Sequence, residues 1–134
     1  RGAQLNGHRI RVGDRHELFE CLFGTGVPFL GHCDEHLDWY IQSLAAVTSR
    51  SMGVRRAGAA SLDLAYVAAG RLDGFWEMGL NEWDIAAGAL LVREAGGLIT
   101  DLSGGEGWYD SGNVVCGNSK LMRQLLPLVK WSAA

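Results

Sequence analysis

The chain has 134 residues, a formal net charge of −3, 48% hydrophobic residues and 20% charged ones, which is ordinary composition for one folded domain and excludes disorder as the main state. Nineteen glycines, about twice the usual frequency, stand beside only two prolines, so they serve tight turns and close backbone approaches rather than a collagen-like or Pro-rich chain. A mildly acidic chain is a poor surface for coating nucleic acid, and a small anion needs a metal or backbone N–H groups to offset the charge. Cys21, Cys33 and Cys116 are odd in number and lack any C-x-x-C pattern, which argues against a disulfide framework and fits a reducing cytoplasm. The longest apolar stretch, Ile85 to Val92, is far shorter than the roughly 20 residues that cross a bilayer, so no membrane span is expected. Arg1-Gly2-Ala3 is neither an initiator methionine nor a signal peptide, and the expectation is a chain that begins in mid-sequence.

Gln4 to Val12 holds Asn6-Gly7 followed by alternating polar and apolar residues, the pattern of a hairpin with a primed turn. Its first strand is too short to stand alone, so residues 1–30 are expected to complete a sheet of an upstream part, with 31–134 forming an α/β part. Leu18 to Phe23 reads as a strand ending at Gly24-Thr25-Gly26. Asp34 to Ser49 reads as a helix whose Leu37, Ile41, Leu44 and Val47 face a core. Ala59 to Ala69 is a second helix with Leu62, Ala65, Tyr66 and Ala69 in register and Gly70 as its stop. Asp73 to Glu77 is a strand. Asn81 opens a helix over Trp83 to Ala95 that Gly96-Gly97 closes, and Leu98-Ile99 begins another strand. Gly104 to Asn113 is a loop, Val114 to Cys116 a buried strand, and Leu121, Leu125 and Leu128 mark a last helix capped by Asn118. Alternating helices and apolar strands predict an α/β sheet covered on both faces.

Four segments carry candidate chemistry. Asp84 lies in the first turn of the small-residue helix Ile85-Ala86-Ala87-Gly88, where it either caps the helix or holds a hard cation such as Mg2+. Glu77 ends an apolar strand, either as the point where the strand meets water or as an acceptor for substrate hydroxyls. Arg55-Arg56-Ala57-Gly58-Ala59-Ala60 is a glycine turn opening a helix after two arginines, able to present N–H groups to an anion, though without a Walker lysine. His32-Cys33-Asp34-Glu35-His36 matches H-x-x-E-H, a zinc-hydrolase pattern in which His32 and His36 bind metal and Glu35 is the base; polar residues at a helix start are the plainer reading.

Trp83-Asp84-Ile85-Ala86-Ala87-Gly88 with the trailing Glu94-Ala95-Gly96-Gly97, and around it Gly2-Ala3-x-Leu5-Asn6-Gly7, Arg55-Arg56-x-Gly58-x-Ala60, Val67-Ala68-Ala69-Gly70-x-x-Asp73 and Glu77-Met78-Gly79, resemble the C-terminal half of the inositol-1-monophosphatase family. Leu90-Leu91-Val92-Arg93-Glu94 and Gly112-Asn113-Val114-Val115 are closest to its bacterial extragenic-suppressor type. The resemblance implies a layered α/β sandwich of the sugar-phosphatase type and a lithium-sensitive Mg2+-dependent phosphomonoesterase acting on inositol 1-phosphate or a related polyol phosphate. It implies Asp84 as a metal ligand, Glu77 as the contact to sugar hydroxyls, Gly58, Ala59 and Ala60 lining the substrate pocket, and Arg55 near the ligand. It further implies a homodimer and, as an alternative role, binding in bacterial ribosomal-RNA transcription complexes. Ala59 departs from the family's usual serine or threonine, which removes a hydroxyl contact. The family's D-P-x-D-G-T segment is absent from the chain, so no residue here is expected to complete catalysis, and the 134 residues alone are expected to be inactive.

Overall fold

The computed structural model describes residues 2–26 and 34–131, with the backbone alone at 34 and 35. Strands β1 (Gln4–Leu5) and β2 (His8–Arg9) pair antiparallel, Leu5 opposite His8. Asn6 and Gly7 have φ of 52° and 80°, the pair of positive values that a primed hairpin turn demands. The expected hairpin therefore forms. It is tied down where the Val12 N–H donates to the Ala95 carbonyl at 3.0 Å and Ala3 is buried.

The segment expected as one strand from Leu18 divides into a 3-10 turn, Leu18–Glu20, and β3 (Leu22–Thr25). The Asp73 carboxylate accepts the Leu22 N–H at 2.8 Å, and regular pairing starts only there. With β4 (Gly53–Arg55), β5 (Gly74–Glu77), β6 (Leu98–Thr100) and β7 (Val114–Gly117), β3 builds a five-stranded sheet in the order β4-β3-β5-β7-β6. β3 runs parallel to β4 and β5, and β7 is antiparallel to β5 and β6. The strand grouped with the hairpin in residues 1–30 thus belongs to this sheet instead. Helical crossovers deliver β4 and β5 to either side of it, which parallel neighbours require. The sequence predicts no strand at β4, since three residues are too few to show a period.

Helices α1 (Asp34–Thr48) and α5 (Ser119–Val129) cover one face of the sheet, while α2 (Ala60–Ala68) and α3 (Glu82–Glu94) cover the other. A one-turn helix, α4 (Trp108–Ser111), interrupts the loop expected from Gly104 to Asn113. The bounds of α3 and α5 agree with the sequence, and Asn118 accepts the Leu121 N–H at 2.8 Å as an N-cap. Two buried faces differ from expectation. In α1, Leu37 and Ile41 are 46% and 54% exposed, and Trp39, Tyr40, Ser43 and Val47 point inward, because two aromatic side chains bury more area than two aliphatic ones. In α2, Leu62 is exposed and Leu64, Val67 and Ala68 are buried. The cause is α3: a Cβ at Gly88 would lie 2.6 Å from Leu64, so only glycine lets Leu64 press onto that backbone.

The glycine-rich loop after β6 folds around Asp101, whose carboxylate accepts from the N–H groups of Ser103, Gly105 and Gly107 and from the Ser103 hydroxyl. Burial raises the Asp101 pKa, but these donors together outweigh it and hold the net value below the ordinary carboxylate range. A depressed pKa gives stability that is present above the unfolded value of about 3.9 and lost as pH falls through the folded one. Asp101→Asn is therefore expected to cost roughly 1 kcal/mol at pH 7 and less at pH 3, read from urea midpoints at the two pH values. Equal losses at both would refute the charge-assisted account.

Candidate functional site

The carboxyl ends of β3, β4 and β5 lie at one edge of the sheet because the three strands are parallel, and loops leaving such an edge are where α/β folds gather ligand-binding groups. The edge receives Thr25 and Gly26 from β3, Arg55 and Arg56 from β4, and Glu77 from β5. Helix α2 starts five residues after β4, and α3 starts five residues after β5, so both helix N-termini face it.

At this edge Glu77 packs tightly on Gly26. A Cβ at Gly26 would fall 2.3 Å from the Glu77 Cδ and Oε1, so the absence of a side chain on β3 makes room for the carboxyl group. Two residues back along the same strand face, a Cβ at Gly24 would lie 3.3 Å from the Oδ1 of Asp63, which is 2% exposed. Burial first, then the nearby charges of Asp63 and Asp84, push the Glu77 pKa up to about 7, with Arg56 opposing. Burial alone pushes Asp63 up to about 6. On the opposite sheet face, the Thr25 hydroxyl donates to the Trp76 carbonyl at 2.9 Å, and the Trp76 indole N–H donates to the Ser43 hydroxyl at 3.1 Å. The buried Tyr40, hydrogen-bonded to Thr25, has a raised pKa for which burial is the main cause.

Asp84 is half-buried in the first turn of α3, where its carboxylate accepts the Asn81 N–H at 3.2 Å and its own N–H donates to the Asn81 carbonyl at 2.9 Å. The capping reading of Asp84 therefore holds, and it leaves lone pairs on the carboxylate for a further ligand. Gly58 has φ of +84° and Ala59 is the N-cap of α2 without a side-chain hydrogen bond, so the first N–H groups of that helix, beginning at Ala60, lack a side-chain cap. Arg55 is exposed at the end of β4. It is Arg56 whose charge reaches Glu77 and Tyr40. Of the H-x-x-E-H segment, His32 and the side chain of Glu35 lie outside the described residues. The His36 ring packs edge-on against Trp131 with centroids 5.2 Å apart, a packing use of the ring.

Sequence reasoning missed Asp63 and Gly26, and named Arg56 only as one of two arginines before the α2 turn. Taking Leu62, Ala65 and Tyr66 as the inner face of α2 turned Asp63 toward solvent; the run Leu64, Val67, Ala68 would have turned it inward. For Mg2+, the oxygen chemistry of Asp84 suits a hard cation, but among the described residues no group of three or more His, Cys, Asp or Glu side chains converges, so Asp84 fits as one ligand of a set that the described residues do not complete.

Raised acid pKa values carry a stability signature. Between the unfolded pKa of about 4.3 and the folded value of about 7, native Glu77 binds more protons than unfolded Glu77, so stability falls as pH rises across that window. In metal-free buffer the melting temperature is expected to fall from pH 5 to pH 8, and Glu77→Gln to flatten that fall. An unchanged slope in the variant would place the titration elsewhere.

The comparisons with known proteins agree with this architecture. The family model described as "Inositol monophosphatase family" matches residues 1–132. The Nus factor SuhB of Pseudomonas aeruginosa is 52% identical over 130 residues, covering 97% of this chain and 48% of its own length. The inositol-1-monophosphatase of Mesorhizobium japonicum is 51% identical over 129 residues, covering 96% and 48%. The crystal structure of the extragenic suppressor protein suhB from Bartonella henselae superposes with a TM-score of 0.90 at 44% identity, over 98% of this chain and 50% of that one. The chain thus spans about half the length of the curated relatives it matches. A match along nearly every residue, on a sheet edge that collects Glu77, Asp84 and the α2 turn, places the chain in the inositol monophosphatase family.

Proposed function

We propose that this chain supplies the polyol-binding side and one metal ligand of an Mg2+-dependent phosphomonoesterase acting on inositol 1-phosphate or a related small polyol phosphate. The observation that carries the reading is the place of the two carboxylates: Glu77 ends β5 with its carboxyl group in the space that Gly26 leaves, and Asp84 stands in the first turn of α3, the next element in the chain. Glu77 accepts hydroxyl hydrogens of the polyol, and Gly26 leaves the space in which its carboxyl group sits. The α2 turn from Gly58 to Ala60 offers backbone N–H groups to the phosphate, and Arg55 and Arg56 add positive charge at the same edge. Asp84 binds Mg2+, which when present activates water for attack on phosphorus and neutralises the leaving oxygen. The hairpin at residues 4–9 completes a sheet contributed from outside this chain; the whole enzyme is cytoplasmic, lithium-sensitive and homodimeric.

The test is Mg2+-dependent phosphate release from inositol 1-phosphate by this chain alone and by a longer chain carrying a D-P-x-D-G-T segment upstream of residue 1. Release is expected only from the longer chain. Comparable activity in both would overturn the division of labour, and none in either would overturn the phosphatase reading. A second reading, binding within a transcription complex, is favoured by relatives named Nus factor SuhB, and Asp84 and Glu77 would then be dispensable.

A further inference from the structure

Helix α1 carries an apolar flank that no described element covers. Tyr40, Ser43 and Val47 are buried against the sheet, Trp39 turns to α5, where its indole N–H donates to the Val129 carbonyl, and Asp38 and Gln42 are exposed. Leu37, Ile41, Leu44 and Thr48 follow one line along the helix at spacings of 4, 3 and 4. At about 100° per residue, that line runs along the side opposite Trp39. Since α5 lies on the Trp39 side, the stripe looks outward past β4, the end strand of the sheet. Leu37 is 46% and Ile41 54% exposed there.

β4 brings two more features to the same border. It pairs with β3 on one side only, so among the described residues its outer backbone groups meet no strand, the condition in which a sheet edge accepts another. Met52, whose N–H donates to the Cys21 carbonyl at 2.9 Å, is 73% exposed. It stands two residues before Val54, which packs into the core beneath α1, so its side chain lies on the α1 face of the strand. An apolar helix flank, an exposed methionine and an open strand edge thus line one border of the sheet. Apolar side chains exposed singly need no explanation, but an aligned set beside a free edge is the mark of an interface.

The upstream part of a chain of the relatives' length does not reach this border. Anything that precedes residue 1 enters through the hairpin, and Ala3 there is buried with Leu64, Val67 and Ile85 on the other face of the sheet from α1. A second copy fits instead. Turned about a twofold axis, an open strand edge meets its own copy antiparallel, and two α1 stripes meet flank to flank. The stripe carries no charge to repel its copy. Antiparallel α1 helices also set Asp38, near the start of one, toward Arg50, just past the end of the other, and neither makes an ion pair among the described residues.

We propose that the border formed by β4, Met52 and the Leu37 and Ile41 flank of α1 is an interface between two copies of this chain about a twofold axis. The proposal rests on the homodimeric reading of the whole enzyme and says which surface makes the dimer. Because β4 ends at Arg55, the interface adjoins the candidate site of each copy.

The experiment is sedimentation-velocity ultracentrifugation over a concentration series, on this chain and on the longer chain that carries the upstream D-P-x-D-G-T segment. Dimers are expected from both. Ile41→Arg is expected to raise the dissociation constant about a hundredfold, because twofold symmetry puts the buried charge into the interface twice. Leu37→Ser, expected to raise it about tenfold, keeps the test open if the arginine variant melts early or loses its circular dichroism. In this chain Leu90→Arg is the control: Leu90 is 61% exposed on α3, across the sheet from α1, and its replacement is expected to leave the dimer intact. A dimer that survives both α1 substitutions, or that Leu90→Arg dissolves, overturns this interface and leaves the homodimeric reading standing. A longer chain that stays monomeric, whatever the shorter one does, overturns the homodimeric reading and the proposal with it.

Discussion

Replacing Trp76 by alanine is expected to lower the unfolding free energy by about 3 to 5 kcal/mol, the largest loss that any single side-chain truncation here should give. Trp76 is fully buried in the middle of β5, edge-on to Phe23 with ring centroids 6.5 Å apart, between two strands it pairs with on either side. Truncation empties the space between the sheet and α1 and removes the indole N–H from the Ser43 hydroxyl, which keeps its own bond to the Tyr40 carbonyl. Polar loss adds to cavity cost because Ser43 is itself 1% exposed. Trp83, in the motif that ties the chain to its family, is 77% exposed, and Trp83→Ala is expected to stay within about 0.5 kcal/mol. Urea unfolding followed by circular dichroism separates the two; similar midpoints for both variants would contradict the packing described for β5.

Local backbone signals were the legible part of this fold. Asn6-Gly7, Gly70, Asn81, Gly96 and Asn118 each mark an element boundary that the chain obeys, since each acts through the φ it permits or the N–H it satisfies, within a few residues. Facing was less legible. Leu37 and Ile41 fit a helical stripe as well as Trp39, Tyr40 and Val47 do, and the choice between them is made by the sheet and by α5, whose Val129 carbonyl takes the Trp39 indole N–H at 2.8 Å. β4 escaped notice because three residues that pair with β3 need no period of their own. In the site, Glu77 and Asp84 could be found from their places at a strand end and a helix start. Asp63 could not, because its burial depends on Leu64 meeting Gly88 from another helix. Gly105 and Gly107, read in the sequence only as part of a loop from Gly104 to Asn113, donate two of the N–H groups that wrap Asp101.

Asp84→Asn is expected to divide the two roles open to this family member, because its structural and its chemical costs differ in size. The carboxylate has two uses: it accepts the Asn81 N–H at the start of α3, and in the proposed function it holds Mg2+. Asparagine keeps an acceptor for Asn81 and loses only the charge near the helix N-terminus, worth about 0.3 to 1 kcal/mol. The metal role tolerates no such exchange. A neutral amide replaces an anionic ligand, and a loss of about 3 kcal/mol in stabilising the transition state corresponds to a rate about a hundredfold lower. In a chain of the relatives' length, phosphate release from inositol 1-phosphate is therefore expected to fall about a hundredfold or more while the melting temperature moves by only a few degrees. If cells that depend on the protein survive on the Asp84→Asn variant, its essential work is binding within a transcription complex; if growth is lost with phosphate release, it is catalysis. Full phosphatase activity in the variant would remove Asp84 from the metal site altogether and return it to the capping role that α3 already gives it.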